Sequence, residues 1–366
     1  MGDNKNKSYE NVVDPMSIPY KYMPEMEWYD FSTTVNPYGL PDGLVDSIKK
    51  SLDSGVLTMP VDRNCQELKN ALAKFHNLEP DNFLISNTVC HLVGEIAQTF
   101  NACTVGVSLP IFANQIVPLV NAGHYIEELD YGTNFLTNDA AGYKAAGLEF
   151  DAAMLANPSY PASRLLRKSV LLGFLNACSW VIVDESLIYL TLNGESMTEF
   201  VSEYENLVIV RSLSASFGMD GLPISYCVAH PKTIELINRH FDNSTVGMFG
   251  EVIAGFVRSD NEYFESCSER LESEIPWLYC MLNLIPDVDA FTPESNCILC
   301  HYKPNLNIPT SIPDVSTLVC KLRLAGIVVK DLSACQGLIG SNYFSVSVRT
   351  RDENIKLISA LRSVLE

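Results

Sequence analysis

Basic side chains are scarce in this sequence: 25 Lys and Arg stand against 44 Asp and Glu in 366 residues, a formal charge of −19. That deficit argues against nucleic acid or an anionic membrane as partner, since neutralised phosphates supply most of the affinity there. Long apolar runs are missing too. The longest, Ser169 to Val183, is interrupted by Asn176 and stops at Asp184–Glu185, too short to span a bilayer. The segment Met1 to Tyr22 is polar and has no apolar centre behind a basic start. It does not read as a secretory signal, and a cytoplasmic location is expected. The 11 cysteines are odd in number and irregularly spaced, which suits reduced thiols better than a disulfide framework. No G-x-G-x-x-G, Walker loop, G-x-S-x-G elbow or H-E-x-x-H is present, and the 6 histidines show no metal-ligand spacing.

What is present is globular: 47% hydrophobic and 10% aromatic residues, enough to build a large core. From Asn82 onward short β-branched runs alternate with stretches of helical period. The predicted strands are Phe83–Ser86, Thr104–Leu109, Tyr125–Leu129, Ala152–Ala156, Trp180–Val183, Leu207–Val210 and Ser225–Val228, with helices such as Val89–Phe100 and Ala113–Ala122 between them. Strand–helix–strand repetition predicts an α/β fold with a mostly parallel sheet covered on both faces. After Pro231 the pattern changes. A helical region from Thr233 to Leu282 precedes strands at Cys297–Tyr302, Ile327–Lys330 and Tyr343–Val348 and helices at Val315–Ala325 and Asp352–Leu365. Three parts are expected: an N-terminal arm over 1–40, a large α/β domain over 41–259 and a small α+β domain over 260–366. Cys297-Ile298-Leu299-Cys300-His301 has the spacing of a haem-attachment motif, but its alternation reads as a strand.

The informative feature is a series of punctuated segments in fixed order. Asp30-Phe31-Ser32-Thr33-Thr34-Val35-Asn36-Pro37-Tyr38-Gly39 comes first, then Asn87-Thr88-Val89-Cys90-His91 at a strand-to-helix junction. Asn157-Pro158-Ser159-Tyr160-Pro161-Ala162-Ser163 follows another strand, and Val183-Asp184-Glu185-Ser186 closes the next. Arg211-Ser212-Leu213-Ser214-Ala215-Ser216-Phe217-Gly218 and Ser347-Val348-Arg349-Thr350-Arg351 complete the series.

From Asp30 to Glu366 this series resembles the fold-type-I pyridoxal-phosphate enzymes, nearest the branch of histidinol-phosphate aminotransferase and threonine-phosphate decarboxylase. The resemblance implies a seven-stranded, mainly parallel sheet, a smaller C-terminal domain and a homodimer. It also assigns roles. The lysine that binds the cofactor covalently falls on Ala215, and the arginine that holds the cofactor phosphate falls on Pro223. The asparagine on the pyridine 3-oxygen becomes Tyr160, the stacking aromatic ring becomes Gln115, and the tyrosine reaching in from the second subunit becomes Met59. The glycine and glutamate of the phosphate cup become Thr88 and His91. Asp184 still matches the carboxylate on the pyridine nitrogen, and Arg349 the arginine that grips a substrate carboxylate.

An alanine neither anchors the cofactor nor shuttles a proton. The expectation is therefore no cofactor in the chain as written, pyridoxal phosphate being regained only if Ala215 is replaced by lysine. Three functional readings follow. In the first, the cleft binds a small anionic molecule, with Arg349 and Asn36 on the substrate side and His91 or Tyr160 as acid or base in a reaction independent of the cofactor. In the second, the chain is an inactive subunit that regulates an active homologue. In the third, it is an active enzyme carrying an engineered Lys-to-Ala change at 215. Arg349 has a plainer alternative as an ion-pair partner of Glu353, and Asp184 as a turn cap.

Overall fold

The structure is a computed structural model and describes residues 26–60, 62–129, 150–241, 246–259, 261–305 and 312–365. The Met1–Tyr22 segment, read above for targeting, lies outside the described residues.

The central sheet is built from β2 (Phe83–Ser86), β3 (Thr104–Ser108), β4 (Tyr125–Leu129), β5 (Ala152–Ala156), β6 (Trp180–Asp184), β7 (Leu207–Ser212) and β8 (Ser225–Ala229). Its 7 strands run in the order β2-β8-β7-β6-β5-β3-β4, and only β8 is antiparallel to its neighbours. Apolar residues fill both faces, as a two-sided parallel sheet requires. In β6, Val181 and Val183 enter one apolar cluster and Ile182 enters the other. Helices α1 (Leu44–Asp53), α2 (Gln66–His76), α3 (Val89–Ala97), α4 (Ala113–Asn121), α5 (Lys168–Ala177), α6 (Leu213–Phe217), α7 (Pro231–Asn238) and α8 (Phe249–Ser259) belong to this part.

The long α9 (Asn261–Asn283) carries the chain from one core to the next. Tyr263 and Phe264 pack on the large cluster, whereas Leu271, Ile275, Leu278 and Leu282 lie in the C-terminal one. There β9 (Val288–Ala290), β10 (Cys297–Tyr302), β12 (Lys330–Asp331) and β13 (Tyr343–Ser347) form an antiparallel sheet in the order β12-β13-β10-β9. Helices α10 (Val315–Leu324) and α11 (Arg351–Leu365) cover it. Near the N-terminus β1 (Tyr29–Asp30) pairs in parallel with β11 (Ile327–Val328), so this segment is sewn to the C-terminal unit.

The cysteine motif is strand. Ile298, Cys300 and Tyr302 of β10 point into the C-terminal core, and Leu299 points to the opposite face. Among the described residues no His, Cys, Asp or Glu cluster could hold a metal, and no helix is long and apolar enough to cross a membrane. All the cysteines are free thiols, most of them buried.

Candidate active-site cleft

The sheet order sets the place of the cleft. From β3 the chain moves outward to β4, then returns to the other side of β3 to lay down β5, β6 and β7. At such a reversal the loops leaving the carboxyl ends of adjacent strands part and open a crevice. The segments singled out by sequence leave those ends: Gln115 after β3, Tyr160 after β5, Asp184 at the end of β6, and Ala215 after β7.

Asp184 is 8% exposed. Its Oδ1 accepts hydrogen bonds from the Ser186 N–H at 2.9 Å and from the Ser186 hydroxyl, and its Oδ2 accepts from Gln115 Nε2 at 3.2 Å. Burial pushes the carboxyl above its ordinary range, while the Ser186 and Gln115 donors pull against that rise. The amide oxygen of Gln115, Oε1, is buried and has no partner.

Ala215 sits in the short α6, whose N-cap Ser212 accepts the Ala215 N–H at 3.1 Å. The Ala215 carbonyl accepts from the Asn36 N–H at 2.8 Å. Asn36 is 3% exposed with both ends of its amide in use: Nδ2 donates to the Ser216 carbonyl at 3.0 Å, and Oδ1 accepts from the Tyr38 N–H at 3.1 Å. The approach is close because Gly218 allows it. That residue has φ +65°, and a Cβ there would lie 2.8 Å from the Asn36 carbonyl oxygen.

Tyr160 is half-buried, with its ring 5.3 Å from that of Phe112 and its phenol beside the Thr34 and Ser345 hydroxyls. Burial raises its pKa, so the phenol stays neutral. Thr34 in turn meets the Ser347 hydroxyl at 3.0 Å. Two residues further on, Arg349 spends one nitrogen on Glu353, Nη2 to Oε1 at 3.1 Å, but its Nε is buried without a partner. Asn296 Oδ1 is orphaned in the same way, and the Asn296 backbone carbonyl accepts the Val348 N–H at 2.7 Å.

His91 is placed differently. Its Nδ1 meets the Ser86 hydroxyl at 2.8 Å, its Nε2 lies 3.5 Å from Glu95, and its ring packs on Phe241 at 5.6 Å. Among the described residues His91 and Tyr160 share no partner. Sequence reasoning also missed Lys330, whose Nζ stands 5.4 Å from the Phe112 ring, on the far side of the domain junction. No spacing rule links a strand of the small domain to a residue some 220 positions earlier, so no sequence signal pointed to it.

A fold of this kind, with its crevice at the carboxyl ends of parallel strands and a carboxylate at the end of β6, matches a known family. The chain belongs to the aminotransferase class I and II family, which it matches over residues 27–361. It is 24% identical to a histidinol-phosphate aminotransferase of Thermoanaerobacter pseudethanolicus, over 98% of this chain and 97% of that protein. Its fold is that of L-threonine-O-3-phosphate decarboxylase from Porphyromonas gingivalis, with a TM-score of 0.77 at 20% identity over 91% and 98% of the two chains. Histidinol-phosphate aminotransferase from Sinorhizobium meliloti, solved in complex with pyridoxal-5'-phosphate, superposes with a TM-score of 0.77 at 15% identity, covering 94% and 93%.

These likenesses correct the expectation that no cofactor belongs here: the family is one of cofactor-binding proteins, and a fold neighbour is solved with pyridoxal-5'-phosphate bound. The expectation equated loss of the anchoring lysine at Ala215 with loss of the cofactor, although a covalent anchor is only one contact among several. Buried Asp184 and the unpartnered Gln115 Oε1 beside it are polar groups at the end of β6 that a cofactor could meet, while the unpartnered Asn296 Oδ1 and Arg349 Nε lie in the small domain. Position 215 offers a cofactor no amine.

Proposed function

We propose that this chain is an aminotransferase-like protein that binds a carboxylate- or phosphate-bearing small molecule through Arg349, beside a pyridoxal-type cofactor held without a covalent anchor. The observation that carries this reading is the Arg349 Nε, buried and unpartnered while Glu353 steadies the other side of the guanidinium. A half-buried guanidinium with one buried, open donor is a candidate anion subsite, because the unmet donor is costly and a charge-assisted bond to it short. Lys330 adds a positive charge over the Phe112 ring, which also packs on Tyr160.

Asp184 is the residue that would hold the pyridine nitrogen. When bound, the cofactor supplies an electron sink for charge developing beside an amino nitrogen. The chain's own groups orient and exclude water, and Tyr160, kept neutral by burial, can donate a proton from its phenol. Ala215 has no proton to move, so conventional transamination is not the activity. The exposed apolar residues Leu57 (74%) and Met59 (57%), with Leu52 and Val45 nearby in sequence, support a homodimer through this corner.

Calorimetric titration with L-threonine O-3-phosphate tests the reading, with Arg349→Ala in parallel. Saturable binding that weakens about tenfold or more in the variant is expected. Equal binding by the two proteins removes Arg349 from the site.

A further inference from the structure

Outside the cleft, the C-terminal end of α2 and the loop that follows β6 border a cavity of about 570 Å³, within the size range of small-molecule sites. Asp184, Gln115, Tyr160 and Arg349 do not line it. We infer that it is a second binding site, for an uncharged aryl or heteroaryl carboxamide whose carbonyl oxygen is taken by His76.

The donor at its base is fixed by a chain of bonds that starts at a group able only to donate. Arg211 Nη1 donates to the Tyr189 hydroxyl, so the one hydrogen of Tyr189 goes onward to the Tyr226 oxygen. Tyr226, 1% exposed, then spends its own hydrogen on His76 Nε2, 3.0 Å away. The imidazole proton is left on Nδ1, which has no hydrogen-bond partner among the described residues. Burial, reinforced by the Arg211 charge, lowers the His76 pKa to about 2, so the ring stays neutral in this tautomer. Tyr226 takes the inner edge of the ring, and fully buried Phe83 stacks on it with centroids 5.7 Å apart. The cavity therefore meets an N–H that the protein does not use.

Charge in the lining is already matched. Arg211 is paired with Glu185, and Glu199 with Lys168 at 2.7 Å. Among the described lining residues no cation is left over for a carboxylate or phosphate, so an anion would lose water without gaining a counter-charge. An uncharged carbonyl oxygen suits the His76 N–H instead. Phe75, Leu78, Ile188 and Tyr189 give the cavity an apolar wall for a ring. The exposed Asn77 amide and Ser202 hydroxyl supply acceptors for carboxamide N–H groups.

Saturation-transfer NMR on the full chain, titrated with benzamide, tests this. Saturable binding is expected, undisturbed by L-threonine O-3-phosphate added to load the Arg349 cleft. Ser202→Trp fills the cavity from an exposed position and is expected to abolish the binding. His76→Phe keeps a ring and removes the N–H, and is expected to weaken it about fivefold, the value of one neutral hydrogen bond. Circular dichroism checks both folds; where His76→Phe unfolds, Ser202→Trp decides, because it leaves the buried chain of bonds untouched. Benzoate is expected to displace benzamide only at about fivefold higher concentration or more. No binding of benzamide, or binding that Ser202→Trp leaves unchanged, overturns the site. Displacement by L-threonine O-3-phosphate overturns it as well, because benzamide would then lie in the cleft. Benzoate displacing as well as benzamide binds overturns the ligand class.

Discussion

Asp184 and Glu185 are neighbours in the chain and face opposite sides of the same sheet, and their surroundings could hardly differ more. Glu185, fully buried, meets Arg211 Nη2 at 2.7 Å and Nε at 3.2 Å, while its other oxygen accepts the Met197 N–H at 2.7 Å. Arg211 also reaches the Tyr189, Ser196 and Thr198 hydroxyls. That network is closed, with neither residue left holding an orphaned atom. On the other side Asp184 is held by Ser186 and Gln115, yet Gln115 Oε1 remains open, and so does Arg349 Nε in the small domain. A closed buried network is scaffold, since every charge is matched inside the protein. A network with open atoms reserves them for something that arrives from outside.

The contrast can be broken most forcefully on its scaffold side. Arg211→Ala leaves Glu185 buried and unpaired, and chemical denaturation should show a loss of about 3–5 kcal/mol. A loss below about 1 kcal/mol would mean that the ion pair is not the scaffold described. Arg349→Ala should do the reverse, costing less than about 1 kcal/mol of stability because its Glu353 pair is partly exposed. Its effect falls on anion affinity instead. A large stability loss from Arg349→Ala, with affinity unchanged, would erase the distinction between the two sides.

A smaller effect sharpens the picture at Glu353. Burial pushes this carboxyl up, but the Thr350 hydroxyl and Arg349 outweigh it and hold its pKa below the usual range. A depressed folded value means that the stabilisation is present above the ordinary glutamate pKa and fades as pH falls through the lowered one. Glu353→Gln should therefore cost about 1 kcal/mol near neutrality and nothing in strong acid, read from melts across pH. The same variant frees Arg349 Nη2, and a modest gain in anion affinity is expected.

The central sheet was legible because its strands are buried on both faces, so that each reads as a short unbroken apolar run. Predicted and observed limits of β5 coincide at Ala152–Ala156, and β7 runs on only to Ser212. The two-residue β1 and the three-residue β9 carried no such signal, being too short for any period to show, and the single strand read at Ile327–Lys330 is two short ones, β11 (Ile327–Val328) and β12 (Lys330–Asp331). The helical region from Thr233 to Leu282 is three helices, which continuous helical spacing could not divide. At the site, Asp184, Ala215 and Tyr160 lie where strand ends place them, because motif order fixes topology. Side-chain direction is a different matter. His91 follows its strand as read, yet Ser86, Glu95 and Phe241 claim its ring. Gln115 looked like a loss in sequence, and only its contact with Asp184 shows that an amide there has work to do.

The account stands or falls on whether the cleft still receives a cofactor without an anchoring amine. An absorbance titration of the purified chain with pyridoxal-5'-phosphate, run beside Ala215→Lys, asks this directly. The account predicts saturation near one equivalent per chain in both proteins, with a new visible band only in the lysine variant. If neither protein binds and the variant stays colourless, the open atoms around Asp184 do not form a cofactor site, and the account is contradicted.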